Sequence, residues 1–221
     1  MNLLAGRPET VLRGTGQAFP EGFRMVRDSG QHGKMTLKAD FRQEGIRAME
    51  IRKCMETDMD RTGEFYDRVI EWLNSHINYP RWVYKVYPSA ESVREMAETG
   101  SQYICEAEGK IVGAFALNAE PQGNYGRGRW KRELPEGSYL VLHAMAVDPA
   151  FHRQGLGSEI IRFCVCRAKE EGYRALRADI VPDNLPSRHL FEANGFTWAG
   201  DADLGLDIGD IPVFSLYELN R

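Results

Sequence analysis

From residue 49 onwards, apolar residues recur with two periods, one of two residues and one of about 3.6. The shorter period predicts strands over residues 49–54, 102–107, 110–118, 139–147, 175–181 and 213–219. The longer period predicts helices over residues 58–76, 89–99, 157–171 and 185–194, and Gly195 ends the last of them. This order of elements predicts an α/β (α+β) fold in which helices cover both faces of a mixed sheet.

Residues 1–46 differ from the remainder in composition. Residues 1–47 carry eight basic and five acidic residues, whereas the whole chain has a net charge of −4. The segment also contains seven glycines and shows no sustained period. We predict a loosely ordered N-terminal extension over residues 1–46 and one domain over residues 47–221. The extension either has no function or forms an arm that gates substrate or joins a second copy.

Length, charge and cysteine spacing restrict the class of protein. A chain of 221 residues suits one domain, and no apolar run approaches the roughly 18 residues that cross a bilayer. The N-terminus lacks the pattern of a secretory signal, so we expect a cytoplasmic protein without a membrane partner. The net charge of −4 argues against nucleic acid as a partner. The spacing of the four cysteines predicts free thiols and no metal site.

Residues 147–158, with the sequence VDPAFHRQGLGS, join the end of a predicted strand to the start of a predicted helix. Gly155 and Gly157 lack the Cβ atoms that would hold a ligand away from the backbone. A helix that begins near Leu156 directs free N–H groups and its positive dipole end towards such a ligand. This loop therefore predicts an anion site that suits a pyrophosphate.

A second motif, NLPSRHLFEANGF, covers residues 184–196, about thirty residues after the loop. Together, the two motifs resemble the acyl-CoA core of the GCN5-related N-acetyltransferases (GNAT), and the resemblance covers residues 49–219. It implies a central mixed, mostly antiparallel sheet of six to seven strands, splayed at the strand 139–147. It also implies acetyl-CoA as the acyl donor, a primary amine of a small molecule or peptide as the acceptor, and the pairing of copies into a homodimer.

The resemblance also assigns cofactor-binding positions. The residues implied are Met145, Ala146 and Val147 for pantetheine, His152, Arg153, Gln154, Gly155, Leu156, Gly157 and Ser158 for pyrophosphate, and Asn184 and Phe191 nearer the thioester. Two of these positions depart from the family pattern. His152 stands where Gln or Arg is usual, and Phe191 stands where many members have a tyrosine that protonates the departing thiolate.

The attacking amine must lose a proton, which directs attention to possible bases. His143 is the first candidate, because it lies four residues before Val147 on the predicted central strand and titrates in a suitable range. Its alternative is a core histidine that is bonded to a neighbouring backbone group. Glu136 is the second candidate, and its alternative is an exposed loop carboxylate. We expect His76 and His189 on helix surfaces.

Other features leave alternatives open. The aromatic residues Tyr79, Trp82, Tyr84 and Tyr87 either line an acceptor pocket or cover the sheet. Residues 120–137 form either a solvated loop with Trp130 turned inward or a wall of that pocket. Because Phe191 has no proton to give, a non-catalytic module that binds or senses acyl-CoA is the alternative function.

Overall fold

The structure is a computed structural model that describes residues 49–206, 208 and 211–221, together with the backbone of three strands nearer the N-terminus. These three strands are β1 (Thr10–Val11), β2 (Phe23–Arg27) and β3 (Met35–Ala39). They pair antiparallel in succession, and β3 pairs with the first strand of the predicted domain. The remainder of residues 1–46 lies outside the described residues, so the division into an extension and a domain stays a prediction.

The described part of the domain contains seven strands and four α-helices. In chain order they are β4 (Met49–Lys53), α1 (Met59–Asn74), α2 (Ala90–Glu98), β5 (Gln102–Ala107), β6 (Lys110–Asn118), β7 (Leu140–Val147), α3 (Leu156–Glu170), β8 (Ala175–Ile180), α4 (Leu185–Ala193), β9 (Thr197–Ala202) and β10 (Phe214–Asn220). The sheet order is β1-β2-β3-β4-β5-β6-β7-β8-β10-β9. Among the described strands, β7 and β8 are the one parallel pair, which confirms the predicted mixed, mostly antiparallel sheet.

Local sequence explains several boundaries. The β5–β6 hairpin turns at Glu108 and Gly109, whose φ angles of 50° and 76° match the positive values that a type I′ turn requires. Helix α2 begins after Ser89, whose hydroxyl accepts a hydrogen bond from the Ser92 N–H at 3.3 Å while the Ser92 hydroxyl accepts one from the Ser89 N–H at 2.8 Å. This reciprocal cap satisfies N–H groups that the helix itself cannot pair.

Two layers of helices cover the sheet. Helix α1 buries Phe65, Tyr66, Val69 and Ile70 on one face, beside α2. Helix α3 buries Ile160, Ile161, Phe163 and Cys164 on the opposite face, beside α4. The predicted helices on both faces are therefore confirmed. Strand β9 was not predicted, because its sequence TWAGDA contains Gly200 and buries its residues without strict alternation.

Candidate active site

The cleft begins where β7 and β8 part. These strands pair at two positions, Leu140 with Leu176 and Val141 with Arg177, and then diverge. Beyond that point none of the described strands pairs with the side of β7 that faces β8. Free N–H and C=O groups along an extended segment can pair with an extended ligand as they would with another strand. The splay predicted for strand 139–147 is therefore present, and Met145, Ala146 and Val147 line the cleft that it opens.

A bulge changes the direction of the β7 backbone at this point. Its register against β6 shifts by one residue, so that Ala144 and Met145 together oppose Phe115. Ala144 has a φ of 46°, in the left-handed region that an alanine occupies at a cost of about 1–2 kcal/mol. The buried Tyr66 on α1 donates a hydrogen bond of 2.8 Å from its hydroxyl to the Ala144 carbonyl oxygen. Helix α1 thus stabilises the bulge.

A cavity of about 1450 Å³ occupies the cleft and extends to the N-terminus of α3. It brings together most of the predicted site residues, namely His143, Met145, Ala146, Val147, His152, Arg153, Gly155, Leu156, Gly157, Ser158, Asn184 and Phe191. Gln154 and Glu136 do not line it. The Gln154 side chain instead donates a hydrogen bond of 2.8 Å to the Ala150 carbonyl oxygen. The cavity therefore joins the exposed edge of β7 to the glycine loop.

The loop before α3 has the geometry of an anion cradle. Arg153 and Gly155 have φ angles of 59° and 85°, which turn the chain sharply into the helix. The N–H of Glu159 bonds to the carbonyl oxygen of Gly155 at 3.1 Å. The N–H groups of Leu156, Gly157 and Ser158 precede that first turn and have no acceptor within the helix. The positive end of the helix therefore faces the cavity with unpaired donors.

Glycine is required at positions 155 and 157 of the loop for different structural reasons. Gly155 needs a positive φ, and a Cβ placed on it would meet nothing within 4 Å. A Cβ on Gly157 would lie 2.8 Å from Cδ2 of Leu190, on α4, which is closer than real contacts allow. Gly157 therefore leaves room for the Leu190 side chain beside α3, a packing role that the sequence did not indicate.

Asn184 and Phe191 are held by α4. Asn184 caps the helix, because its Oδ1 accepts a hydrogen bond from the Ser187 N–H at 3.2 Å. The Phe191 ring is buried against Phe196, with their centroids 4.9 Å apart, and lies near Tyr217. Both residues line the cavity, and the contacts with a cofactor that the resemblance implies for them stay predictions.

Aromatic rings border the cradle on the side of α1. The Nε2 atom of His152 lies 3.2 Å from the Val147 carbonyl oxygen, and its ring meets the Trp72 ring edge-on at 5.2 Å. Trp72 also stacks on His76, with their centroids 4.1 Å apart. His189 is exposed on α4, as predicted, whereas His76 is exposed two residues beyond the end of α1, and both also line the cavity.

His143 lies buried in the cleft and is 7% exposed. Among the described residues, its Nε2 atom has no hydrogen-bond partner, and its Nδ1 atom lies 4.0 Å from Oδ1 of Asp179. Burial lowers the pKa of His143 below its usual 6.5, while the charge of Asp179 and the backbone of Glu120 oppose this less strongly. The imidazole is therefore neutral at pH 7 and able to accept a proton.

Glu136 lines a second cavity of about 660 Å³ and not the cleft. That cavity also contacts Arg177, whose guanidinium lies 3.9 Å from the ring centroid of Trp130 and 4.1 Å from that of Tyr139. Trp130 is thus turned inward, whereas Gln122 lines the large cavity. The position of Glu136 does not support its candidate role as a base.

Sequence reasoning missed Asp179, which lines the cleft together with Tyr87, an aromatic residue already considered for an acceptor pocket. Burial and the nearby charge of Asp179 raise the pKa of Tyr87 to about 12. A signal for Asp179 was present, because Arg177 and Asp179 are charged residues at alternate positions of a strand predicted to be buried. Such residues share one face and need partners inside the protein.

We expect the free energy of unfolding to fall on acidification below about pH 6.5, partly through His143. The pKa of a histidine in the unfolded chain is near 6.5, whereas the pKa of His143 in the folded protein is lower. Over that interval the unfolded state binds more protons, so stability rises with pH, by at most about 1.4 kcal/mol per pH unit. Urea unfolding at pH 7.5 and pH 5.5 should show a smaller loss in His143→Gln than in the unaltered protein. Equal losses would contradict the lowered pKa.

The structure adds two findings about other classes of site. Over the described ranges, no three histidine, cysteine, aspartate or glutamate residues are grouped so that they could hold a metal ion. None of the helices described here is both long enough and apolar enough to cross a membrane. The four cysteines are free thiols, as predicted, and Cys54, Cys105 and Cys164 are buried.

Comparisons with known proteins give consistent results. The model of the Acetyltransferase (GNAT) family matches residues 66–196. An uncharacterized N-acetyltransferase of Methanocaldococcus jannaschii is 25% identical over 155 residues, which cover 68% of this chain and 62% of that relative. The chain therefore spans less than two thirds of the length of this curated relative.

Solved structures share the fold. An acetyltransferase of the GNAT family from Streptococcus agalactiae superposes with a TM-score of 0.66 at 16% identity, covering 80% of this chain and 98% of that one. A putative acetyltransferase from Salmonella typhimurium, solved with its cofactor acetyl-CoA, superposes with a TM-score of 0.55 at 18% identity, covering 78% and 93%.

Proposed function

The chain belongs to the acetyltransferase (GNAT) family, and from that premise we propose that it transfers the acetyl group of acetyl-CoA to a primary amine. The amine belongs to a small molecule or peptide and attacks directly within a ternary complex. The observation that carries this proposal is one continuous cavity, which contains the free edge of β7, the cradle at α3 and the buried His143.

The residues of the cleft fit acetyl-CoA at two places. The unpaired N–H groups at the start of α3 suit the pyrophosphate, and Arg153 adds a positive charge nearby. The exposed backbone of Met145 and Val147 suits the amide groups of the pantetheine arm. The Salmonella structure with acetyl-CoA supports this assignment through its shared fold. When bound, acetyl-CoA supplies an activated acetyl group as a thioester.

His143 is the proposed base. A primary ammonium has no lone pair, so it must give up a proton before its nitrogen can attack the acetyl carbonyl carbon. As the C–N bond forms, the C–S bond breaks and the nitrogen releases a second proton. One proton ends on the departing thiolate and the other reaches solvent, with the neutral His143 as the first acceptor, directly or through water. No bond to the enzyme forms.

Phe191 gives no proton to the departing thiolate. The reaction does not need a proton donor at this position, because a thiol titrates near pH 8.5 and its thiolate is an adequate leaving group at neutral pH. Unpaired N–H groups of β7 can stabilise the charge that develops on the carbonyl oxygen. The chemistry of the site therefore rests on orientation and on the deprotonation of the amine.

Phe191→Tyr should therefore change kcat by less than about threefold, because protonation of the thiolate does not limit the reaction. The new hydroxyl lies in a packed region, so a modest loss of stability is expected. Steady-state kinetics and thermal unfolding measure the two effects. A tenfold increase in kcat would show that the missing proton donor limits turnover.

The proposed function is tested by release of CoA thiol from acetyl-CoA across a panel of primary amines, with calorimetry of CoA binding in parallel. Amine-dependent release with formation of the acetylated amine supports the transferase. CoA binding without release for any amine would favour a module that senses acyl-CoA, the alternative that Phe191 leaves open. Absence of CoA binding would overturn both assignments.

A further inference from the structure

We propose that the acceptor is a small primary amine carried on an apolar body, aliphatic or aromatic, and that Asp179 binds its ammonium group. This inference rests on the proposed function and narrows it to one class of substrate. Three independent features of the cleft carry it: the composition of its walls, the exposure of apolar side chains at its mouth, and the position of its carboxylate.

Two connecting segments supply the walls around His143. The segment between α1 and α2 contributes Tyr79, Trp82, Val83, Val86 and Tyr87, and the segment between β9 and β10 contributes Leu206, Ile208 and Ile211. Trp82 is fixed from behind by Tyr66, with ring centroids 6.0 Å apart and nearly perpendicular. These walls offer a ligand large apolar surfaces, although Arg81 and Gln122 also line the cavity, and they favour an apolar body over a peptide or a sugar.

The mouth of the cavity is also apolar. Among the described residues, eight large hydrophobic side chains are exposed, and four of these line this cavity. They are Ile77, Val83, Val86 and Ile208, which are 58%, 57%, 65% and 42% exposed. Exposed apolar surface that concentrates at one cavity marks a binding site, because covering it removes it from water.

Asp179 is the one carboxylate among the described residues that line the cavity. Its Oδ1 accepts a hydrogen bond from the Tyr125 hydroxyl, which fixes the carboxylate at the base of the cleft. Asp179 and His143 stand two residues beyond the last β7–β8 pair, Val141 with Arg177, so the splayed strands still hold them side by side. An ammonium bound to Asp179 would lie beside the proposed base.

A second charge or hydroxyl on the acceptor would meet mainly apolar walls, and burying such a group without a partner is unfavourable. The acceptor should therefore have one charged end and one apolar end. The preference of the site for one amine over another should grow with the apolar surface of the amine. This preference should disappear for amines that carry a polar group at the far end.

The first test measures kcat/KM for thiol release with n-alkylamines from propylamine to hexylamine. We expect a rise of about two- to fourfold per added methylene, as for a methylene that leaves water for an apolar site. Pentylamine, 4-aminobutanol and 1,4-diaminobutane have equal numbers of heavy atoms and form the matched set. Pentylamine should exceed both others by about tenfold or more.

The outcomes separate the two proposals. Turnover that is flat along the series, or that favours the diamine, the amino alcohol or a lysine peptide, would overturn the apolar class and leave the transferase intact. Absence of turnover with every amine would overturn the proposed function, and with it this inference.

The second test uses Asp179→Asn, which removes the carboxylate but keeps an oxygen that can accept the hydrogen bond from the Tyr125 hydroxyl. We expect KM for pentylamine to rise about tenfold while the Kd for CoA stays within about twofold. Pentan-1-ol, a neutral mimic of pentylamine, should inhibit both proteins equally, because it does not use the charge. Asp183→Asn is the matched control, since Asp183 is exposed and bonds to Arg81 at 3.0 Å without lining the cavity.

If Asp179→Asn weakens the binding of pentylamine and of pentan-1-ol equally, or leaves the KM for pentylamine unchanged, Asp179 does not bind the ammonium group. A general loss of structure would also weaken CoA binding, and therefore the ratio of amine to alcohol affinity is the decisive readout. Asp183→Asn should leave that ratio unchanged.

Discussion

Replacing Gly155 with leucine is expected to weaken CoA binding by at least about tenfold. The Cβ at this position meets no protein atom within 4 Å, and the residue lines the cavity, so the added side chain stands where the anion approaches the N–H groups of α3. The positive φ of 85° adds a conformational penalty of about 1–2 kcal/mol. Calorimetry of CoA binding and urea unfolding measure the two effects separately.

Gly172 offers a matched control for this variant. It follows the C-terminal end of α3, has a φ of 80°, and a Cβ there would also meet nothing within 4 Å. It does not line the cavity. Gly172→Leu should therefore lose a similar amount of stability and leave the Kd for CoA unchanged. Equal CoA affinity in the two variants would contradict the assignment of the loop as the pyrophosphate site.

Replacing His143 with alanine is expected to lower kcat by about 100-fold near pH 7, the lower end of what a positioned base contributes. Burial keeps the pKa of His143 below 6.5, so the ring is neutral and available at that pH. The loss should shrink as the pH rises towards 10, because a growing fraction of a free alkylamine is then deprotonated and needs no base. A pH–rate profile of the two proteins with one amine measures this effect.

Two further measurements separate a base from a structural histidine. His143→Gln keeps much of the volume but cannot accept the proton, so it should resemble His143→Ala in rate at pH 7. Added imidazole should restore part of the rate to His143→Ala, because the alanine leaves room for it in the cleft. A profile parallel to that of the unaltered protein, without rescue, would contradict the role of His143 as a base.

Most of the fold could be predicted from local signals. The spacing of apolar residues places α1 and β6, the cap at Ser89 starts α2, and the turn at Glu108 and Gly109 joins β5 to β6. Each of these depends on residues that are neighbours in the chain. Strand β9 escaped prediction because its partner β10 stabilises it, whereas its own sequence lacks a regular alternation.

The candidate site could be predicted in part. The glycine loop and α4 carry a linear pattern, from which the sequence predicted one site, and all of its loop and α4 positions except Gln154 line the cavity. Glu136 lies near His143 in the chain, but the two line different cavities, and Glu136 shares its own with Tyr139 and Arg177. Distance along the chain does not determine which side chains share a cleft.

The sequence by itself predicted every element of the domain except β9, a loop suited to an anion, and the resemblance to an acyl-CoA core. Only the tertiary structure decided that Ala144 forms a bulge, that Gly157 admits Leu190, and that Asp179 lies beside His143. The physical reason is the range of the interactions. Backbone propensities and caps act within a few residues, whereas a bulge, a helix contact and a buried charge depend on strands and helices that packing brings together.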